Sequence, residues 1–478
     1  MYLKLKIFDE EVMKSGMYNV YLSEKKTTGY KSRNKNIWRY CGMKYSYFAA
    51  LTAWIIPNKK DRHRFRDMCK EIDTRKETKI IQQRYGHLVQ KLKEKKVKKV
   101  LFLINENSKW KAQSLYDLME QSKDFEPVIA VTSADVQRKL SKEEKRKFIE
   151  DNVKFFQDKK MRVVTAFNPD KNKAYDLRKF NPDIVFYQQP YHIPKIQDID
   201  NVSKFALTCY IPYFLSSREN YRLECELAFH RKLFRFYVWN NELKENFKKV
   251  LDEKELYSGN MRAAGHTMLD YFYLNKDKKR TADYVIYAPS WSIYHKLNEN
   301  HINCSTFDKT GKMILEYAKK HRELNWVFKP HPTLKNTLRR IGMQENEIIS
   351  YYGDWENFAK CCYDSSYIDL FFNSKALITD CGSFLIEYFC TGNPIINLIN
   401  PHCTMKPYDF LRPMFETFYT IKDYEKELNN ILDEILINGV DTKKQERENL
   451  LTGYKFNSEY AALNILNDLR NSIKGENK

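Results

Sequence analysis

From residue 100 onward, short apolar runs alternate with stretches whose apolar positions recur every three or four residues. The runs at 100–104, 128–131, 162–165, 184–187, 205–209 and 236–239 predict strands, bounded by turn residues such as Asn181-Pro182, and a helix is expected near 114–121. A second series follows a Lys-rich turn at 275–280, with strands at 284–287, 326–328, 376–378 and 395–398 and a helix near 312–321. Strands alternating with helices predict parallel sheets covered on both faces. The expected fold class is therefore α/β, two Rossmann-like domains facing a cleft. Residues 61–96 read differently, as one or two charged helices with Phe65, Met68, Ile72, Ile80 and Leu88 as a sparse apolar stripe. Segments 421–438 and 456–474 predict terminal helices. The expected domains are 1–96, 97–277, 278–420 and 421–478, without an internal repeat or a low-complexity linker.

Composition narrows the class. Hydrophobic content is 42%, with 33 Tyr and 29 Phe among 478 residues, as a globular chain with several cores requires. The longest apolar run, 47–56, is too short to span a bilayer, and no N-terminal signal pattern is present. The ten cysteines form no CxxC pair, so they are expected as reduced thiols in a cytoplasmic protein, and the adjacent Cys361-Cys362 as incidental.

The net charge of +20 is unevenly placed: residues 1–100 hold 26 Lys/Arg against 10 Asp/Glu, or +16. Ile37, Trp38, Tyr40, Tyr45, Tyr47, Phe48, Trp54 and Ile55 are interleaved with it, and a basic run follows at 58–66. Aromatics beside a basic cluster suit the headgroup region of an anionic membrane; a solvated basic face packed on a neighbouring domain has the same composition. No RNA- or DNA-binding signature accompanies the charge, so nucleic acid is not an expected partner.

The richest motif is Ala376-Leu-Ile-Thr-Asp380-Cys-Gly382-Ser383-Phe-Leu-Ile-Glu387, closed by Gly392-Asn-Pro394. It reads as a strand, a tight turn and a helix with Glu387 on its second turn. Such a unit aims backbone N–H groups and a helix N-terminus at one spot, which suits a phosphate-bearing ligand; an unliganded crossover would share the pattern. Upstream, Trp326-Val-Phe-Lys329-Pro330-His331-Pro332 ends a strand in a turn stiffened by two prolines, so Lys329 and His331 can be aimed at phosphate or a proton. Tyr287-Ala-Pro-Ser290-Trp291-Ser292 ends another strand with hydroxyls and an indole. His266, after Gly265, marks either a cleft residue or a capped helix start. His192 and Tyr210 follow successive strands and fit the N-terminal lip of the cleft, where an acceptor hydroxyl would be deprotonated. No zinc spacing, GxSxG elbow or Walker sequence appears, so neither a metal nor a cofactor is expected.

Together, Tyr287-Ala-Pro-Ser-Trp291, Phe328-Lys-Pro-His-Pro332 and Leu377-Ile-Thr-Asp-Cys-Gly-Ser383 through Pro394 resemble the C-terminal half of the CDP-glycerol glycerophosphotransferase family, the teichoic acid and capsule polymer transferases of GT-B architecture. The resemblance is close over 280–400 and extends to 100–275 only in layout. It implies attack of an acceptor hydroxyl on the β-phosphate of a CDP-linked alditol, with CMP leaving. It implies that His331 assists the phosphate as a catalytic residue and that Gly382, Ser383 and Glu387 hold the nucleotide end. The strand-end positions read above add Lys329, Ser290, Trp291, His266 and Asp380 to the expected donor-binding set, and His192 or Tyr210 at the acceptor. The implied partners are a CDP-activated alditol, a polymer or lipid-linked glycan acceptor and the inner face of the membrane. Two departures stand out. Cys381-Gly382-Ser383 replaces the family's Tyr-Ser-Ser, and Thr208-Cys209-Tyr210-Ile211-Pro212 replaces Thr-Trp-His-Gly-Thr, so Tyr210 stands where the family has its histidine base. The alternative functions are a nucleotide-sugar glycosyltransferase of the same architecture and a non-catalytic protein binding anionic membranes.

Overall fold

The computed structural model describes residues 44–475 except 57, 134–139, 276, 279–282, 295–302, 364–366, 404 and 455–459. Ile37, Trp38, Tyr40 and part of the turn at 275–280 lie outside the described residues. The chain divides into two compact units, Met1–Glu77 and Thr78–Lys478.

In the first unit, helix Tyr45–Thr52 starts on Asp73, whose carboxylate accepts the N–H groups of Tyr45 at 2.8 Å and Ser46 at 2.7 Å. A carboxylate at that position pairs otherwise orphaned donors and complements the helix dipole. Tyr47 and Trp54 are left 65% and 70% exposed. The charged stretch forms one helix, Lys59–Lys93, that crosses the boundary between units. Its buried positions are Cys69, Asp73, Thr78, Ile81, Tyr85 and Leu92, while Met68 and Ile80 of the expected stripe are exposed. The shift has a physical cause: the inward face includes polar groups with bonding partners, which apolar spacing alone overlooks. In the second unit, for example, the Tyr85 hydroxyl lies 2.6 Å from the Thr208 hydroxyl and donates to the Lys232 carbonyl at 2.9 Å.

The second unit holds two parallel sheets, the first at the centre of what we call the first lobe and the second at the centre of the second lobe. The first is built from β1 (Lys98–Ile104), β2 (Phe125–Val131), β3 (Val163–Thr165), β6 (Ile184–Tyr187), β7 (Leu207–Tyr210), β8 (Arg235–Val238) and β9 (Met261–Ala263), in the order β3-β2-β1-β6-β7-β8-β9. A small antiparallel hairpin, β4 (Phe167–Asn168) with β5 (Lys173–Ala174), stands apart. The second sheet uses β10 (Tyr284–Ala288), β11 (Asn325–Phe328), β12 (Lys360–Cys361), β13 (Ser374–Thr379), β14 (Ile395–Leu398) and β15 (Tyr419–Ile421), ordered β12-β11-β10-β13-β14-β15. Each order reverses beside its first strand, at β1/β6 and at β10/β13. Ligands of such sheets sit beyond the carboxyl ends at these switch points. The central strands of both sheets are buried on both faces, hence the continuous apolar runs.

The last helix, Ala461–Lys474, leaves the second lobe and packs on the first. Ala462, Ile465, Leu466, Leu469 and Ile473 join the core under β1 and β2. Asp270 accepts the N–H groups of Ala461 and Ala462 at 2.7 and 3.0 Å. Gly265 permits this approach: its φ is +83°, and a Cβ there would lie 2.8 Å from the Ala461 Cβ. The tail from 421 is therefore shared between the lobes instead of forming one segment.

The lobes are also laced by 216–224. Ser217 donates to the Gly382 carbonyl at 2.7 Å, Arg218 to the Met405 carbonyl at 2.9 Å and the Glu219 N–H to the Lys406 carbonyl at 2.8 Å. Buried Glu224 accepts from Ser216 at 2.6 Å and Tyr408 at 2.9 Å, and burial raises its pKa to about 8. The nine described cysteines are free thiols. Among the described residues, no helix is long and apolar enough to cross a membrane.

Candidate active site

The strand order sets the site. Because β10 lies between β11 and β13, the loops that follow these three strands are neighbours at the carboxyl edge of the second sheet. Hydrogen bonds lace them together. The Lys329 N–H donates to the Tyr287 carbonyl at 2.9 Å and the His331 N–H to the Pro289 carbonyl at 3.0 Å. The Ser290 N–H donates to Asp380 at 2.5 Å, and the Trp291 and His331 rings lie 6.0 Å apart.

His331 is half-buried. Its Nδ1 accepts from the Thr333 N–H at 3.2 Å and lies 2.9 Å from the Thr333 hydroxyl. A backbone N–H can only donate, so the neutral ring carries its proton on Nε2. Burial, assisted by the Lys329 ammonium, lowers the His331 pKa to about 4. At neutral pH the ring is thus an uncharged donor.

Helix Gly382–Phe389 begins beside these groups, with no side-chain cap on its first turn. An uncapped start of this kind offers N–H groups and the positive end of the helix dipole to an anion. A Cβ on Gly382 would fall 3.4 Å from the Ser217 hydroxyl, so the strap from the first lobe crosses close to the turn. The Ser383 hydroxyl lies 3.2 Å from the Cys381 sulfur.

Glu387 projects from the second turn of this helix and is 1% exposed. The Tyr367 hydroxyl donates to its Oε2 at 2.7 Å, and Lys111 of the first lobe donates to that hydroxyl at 3.2 Å. The Lys111 and Lys329 ammonium groups lie 4.5 and 4.8 Å from the Tyr367 ring centroid. Burial raises the Glu387 pKa to about 7, against the pull of Lys111, the Tyr367 hydroxyl and Lys329. Burial also lowers that of Lys111.

The structure thus gathers Lys329, Ser290, Trp291, His331, Gly382, Ser383 and Glu387 along one edge. Three other expected residues serve the fold. Asp380 faces protein on both oxygens, accepting from Ser290 on one and from Ser305 and Thr306 on the other, so it braces the loops and does not meet a ligand directly. His266 is 2% exposed with both nitrogens engaged, Nδ1 accepting from the Met268 N–H at 3.2 Å and Nε2 donating to the Pro212 carbonyl at 2.7 Å. It is a staple between loops. Tyr210 is the last residue of β7, 2% exposed among Phe229, His230 and Phe236, and burial raises its pKa far above the ordinary phenol value. It is a core residue and no base. His192 is exposed at φ +56°, beside Tyr191.

Lys111, Tyr367 and Ser217 went unread in the sequence. Lys111, in Lys109-Trp110-Lys111 just beyond β1, had a signal in its place after a strand; Tyr367 and Ser217 had none.

Residues 258–405, which hold these three loops, match the family described as CDP-Glycerol:Poly(glycerophosphate) glycerophosphotransferase. That segment is similar to the glycerophosphotransferase family. The resemblance read from the motifs therefore holds, and the chain is a transferase. No curated protein matches it. Among solved structures it is similar to a variant of the wall teichoic acid polymerase TagF, with 13% identity, TM-score 0.47, and coverage of 90% of this chain and 98% of that one. UDP-GlcNAc 2-epimerase from Neisseria meningitidis bound to UDP-GlcNAc has 13% identity, TM-score 0.48, and coverage of 78% and 99%. S. aureus MnaA with UDP has 12% identity, TM-score 0.47, and coverage of 79% and 97%.

Proposed function

We propose that this glycerophosphotransferase-family chain moves glycerol phosphate, or a related alditol phosphate, from a CDP-linked donor to a hydroxyl of a cell-surface glycan or teichoic-acid-like polymer. The acceptor oxygen bonds to the β-phosphorus as its O–H proton passes to water, the bond from that phosphorus to the bridging oxygen breaks, and CMP leaves. The observation that carries this reading is the lacing of the Lys329-Pro-His331 turn to the loop beside the uncapped helix start at Gly382. Phosphoryl transfer depends mainly on positioning and charge stabilisation, and this edge offers both. Lys329 and the N–H groups near Ser383 would offset charge on the diphosphate, and the Nε2–H of His331 would donate to a phosphate oxygen. With Nδ1 held by the Thr333 N–H, the ring keeps its Nε2 proton and stabilises, as a hydrogen-bond donor, the charge that develops on the leaving phosphate. Glu387 would take the ribose end. With Tyr210 in the core, His192 is the remaining candidate for orienting the acceptor.

The second reading, a nucleotide-sugar glycosyltransferase, is favoured by the core position of Tyr210, since the family's base is missing there. Product analysis separates the two. Release of CMP with phosphorus passed to the acceptor supports phosphotransfer; release of a nucleoside diphosphate refutes it. We place the protein at the inner membrane face on the basic aromatic segment, of which Tyr47 and Trp54 are exposed. Sedimentation with anionic but not neutral vesicles is expected, and equal failure with both would remove that assignment.

A further inference from the structure

Glu387 is sealed. At 1% exposure its carboxylate cannot meet a sugar hydroxyl until something moves, and the group lying on it is the Tyr367 hydroxyl. That hydroxyl is in turn held by Lys111, which the other lobe supplies from the loop after β1. Lys111 is fixed by its backbone: its carbonyl accepts from the Thr267 hydroxyl at 2.6 Å, and the Thr267 carbonyl accepts from Ser114 at 3.1 Å. The loop is therefore anchored while the ammonium, at the end of four methylenes, is free to change partner.

We propose that Lys111 is a donor-phosphate ligand supplied by the first lobe, and that Tyr367 and Glu387 hold it in reserve until a nucleotide arrives. The inference rests on the reading of Glu387 as the ribose-binding carboxylate. Ribose hydroxyls take over Glu387 and displace the Tyr367 hydroxyl. Lys111 then loses its phenol partner and turns to the diphosphate, joining Lys329. Charge favours the exchange. In the free protein the Lys111 ammonium donates to a neutral phenol, and a diphosphate offers it a charged acceptor instead. Binding at the two lobes is thereby coupled, because the nucleotide end releases the cation that the phosphate end needs.

The test is titration calorimetry of the full chain and its variants with CMP, CDP and UDP. Tyr367→Phe removes the competitor for Glu387, so CMP is expected to bind several-fold more tightly than to wild type. Lys111→Met is expected to weaken CDP about tenfold or more, as loss of a charge-assisted hydrogen bond does, while changing CMP far less. Lys111→Arg should recover part of the CDP affinity. If Lys111→Met does not fold, Lys111→Gln gives the same reading. Equal weakening of CMP and CDP, or Tyr367→Phe binding CMP no more tightly, overturns the inference and leaves the donor assignment standing. If wild type binds UDP in place of cytidine nucleotides, the CDP donor reading falls, and a UDP-specific loss in Lys111→Met still supports the exchange. If neither wild type nor Tyr367→Phe binds any of the three, both fall.

Discussion

The ring of His331 is locked by Thr333, which holds Nδ1 from both its backbone nitrogen at 3.2 Å and its hydroxyl at 2.9 Å. The two residues lie on one turn, so the tautomer is set locally before any ligand binds. Nε2 is left as the working nitrogen.

His331→Ala is expected to reduce turnover by roughly 10²–10³-fold, the usual cost of losing one hydrogen-bond donor to developing charge. Thr333→Val keeps the backbone bond and should cost far less, about tenfold or below. Because the His331 pKa is lowered to about 4, kcat/KM for CMP release should show no break near pH 6.5. A break there that His331→Gln abolishes would refute the assignment.

Glu224 carries the clearest pH signature. Its pKa rises from 4.5 to about 8 on burial. Between those values the folded chain keeps a proton that the unfolded chain has released, so stability falls as pH rises through the window. Glu224→Gln removes the titration. The variant should gain stability over wild type from pH 4.5 to 8, with an upper scale of about 1.4 kcal/mol per pKa unit. Denaturant melts at pH 5 and pH 8 measure it; an unchanged difference between the two pH values would contradict the expectation.

His266 is expected to matter for folding. Replacement by Ala abandons the buried Pro212 carbonyl and Met268 N–H, at about 1–3 kcal/mol for each unsatisfied group. Thermal midpoints should fall clearly, while the donor affinity of the folded fraction stays near that of wild type. A selective loss of donor binding with normal stability would return His266 to the site.

Gly265→Ala combines two penalties, a left-handed φ of +83° and a Cβ 2.8 Å from the Ala461 Cβ. A loss of about 1–3 kcal/mol is expected from the backbone alone, with the collision in addition. Ala461→Gly in the same chain should recover the collision and leave the backbone cost. Recovery beyond that share in urea unfolding would show that φ is unimportant.

Apolar runs marked the central strands well because parallel strands are buried on both faces: β6 and β14 coincide with the runs at 184–187 and 395–398. The edge strands β12 and β15 were missed, being two and three residues long and partly exposed. Helix Lys142–Asp158 was also missed: its strongest local mark is the Ser141–Glu144 capping box, and its interior is mostly charged. Lys329 and His331 were legible because prolines fix their turn locally. His266 and Tyr210 misled for the opposite reason. Their roles come from Pro212, Phe229 and Phe236, partners that only the folded chain supplies. Tyr367 and Lys111 are separated by 256 residues, and nothing local ties one to the other.

The seam between 216–219 and the second lobe gives the cleft a preferred hinge. Pulling the lobes straight apart would break the bonds of Ser217, Arg218 and Glu219 to Gly382, Met405 and Lys406 together, at about 1 kcal/mol each. Swinging about an axis through those contacts keeps them all. The start of helix Gly382–Phe389 therefore stays tied to the first lobe's loop through Ser217 in any such swing.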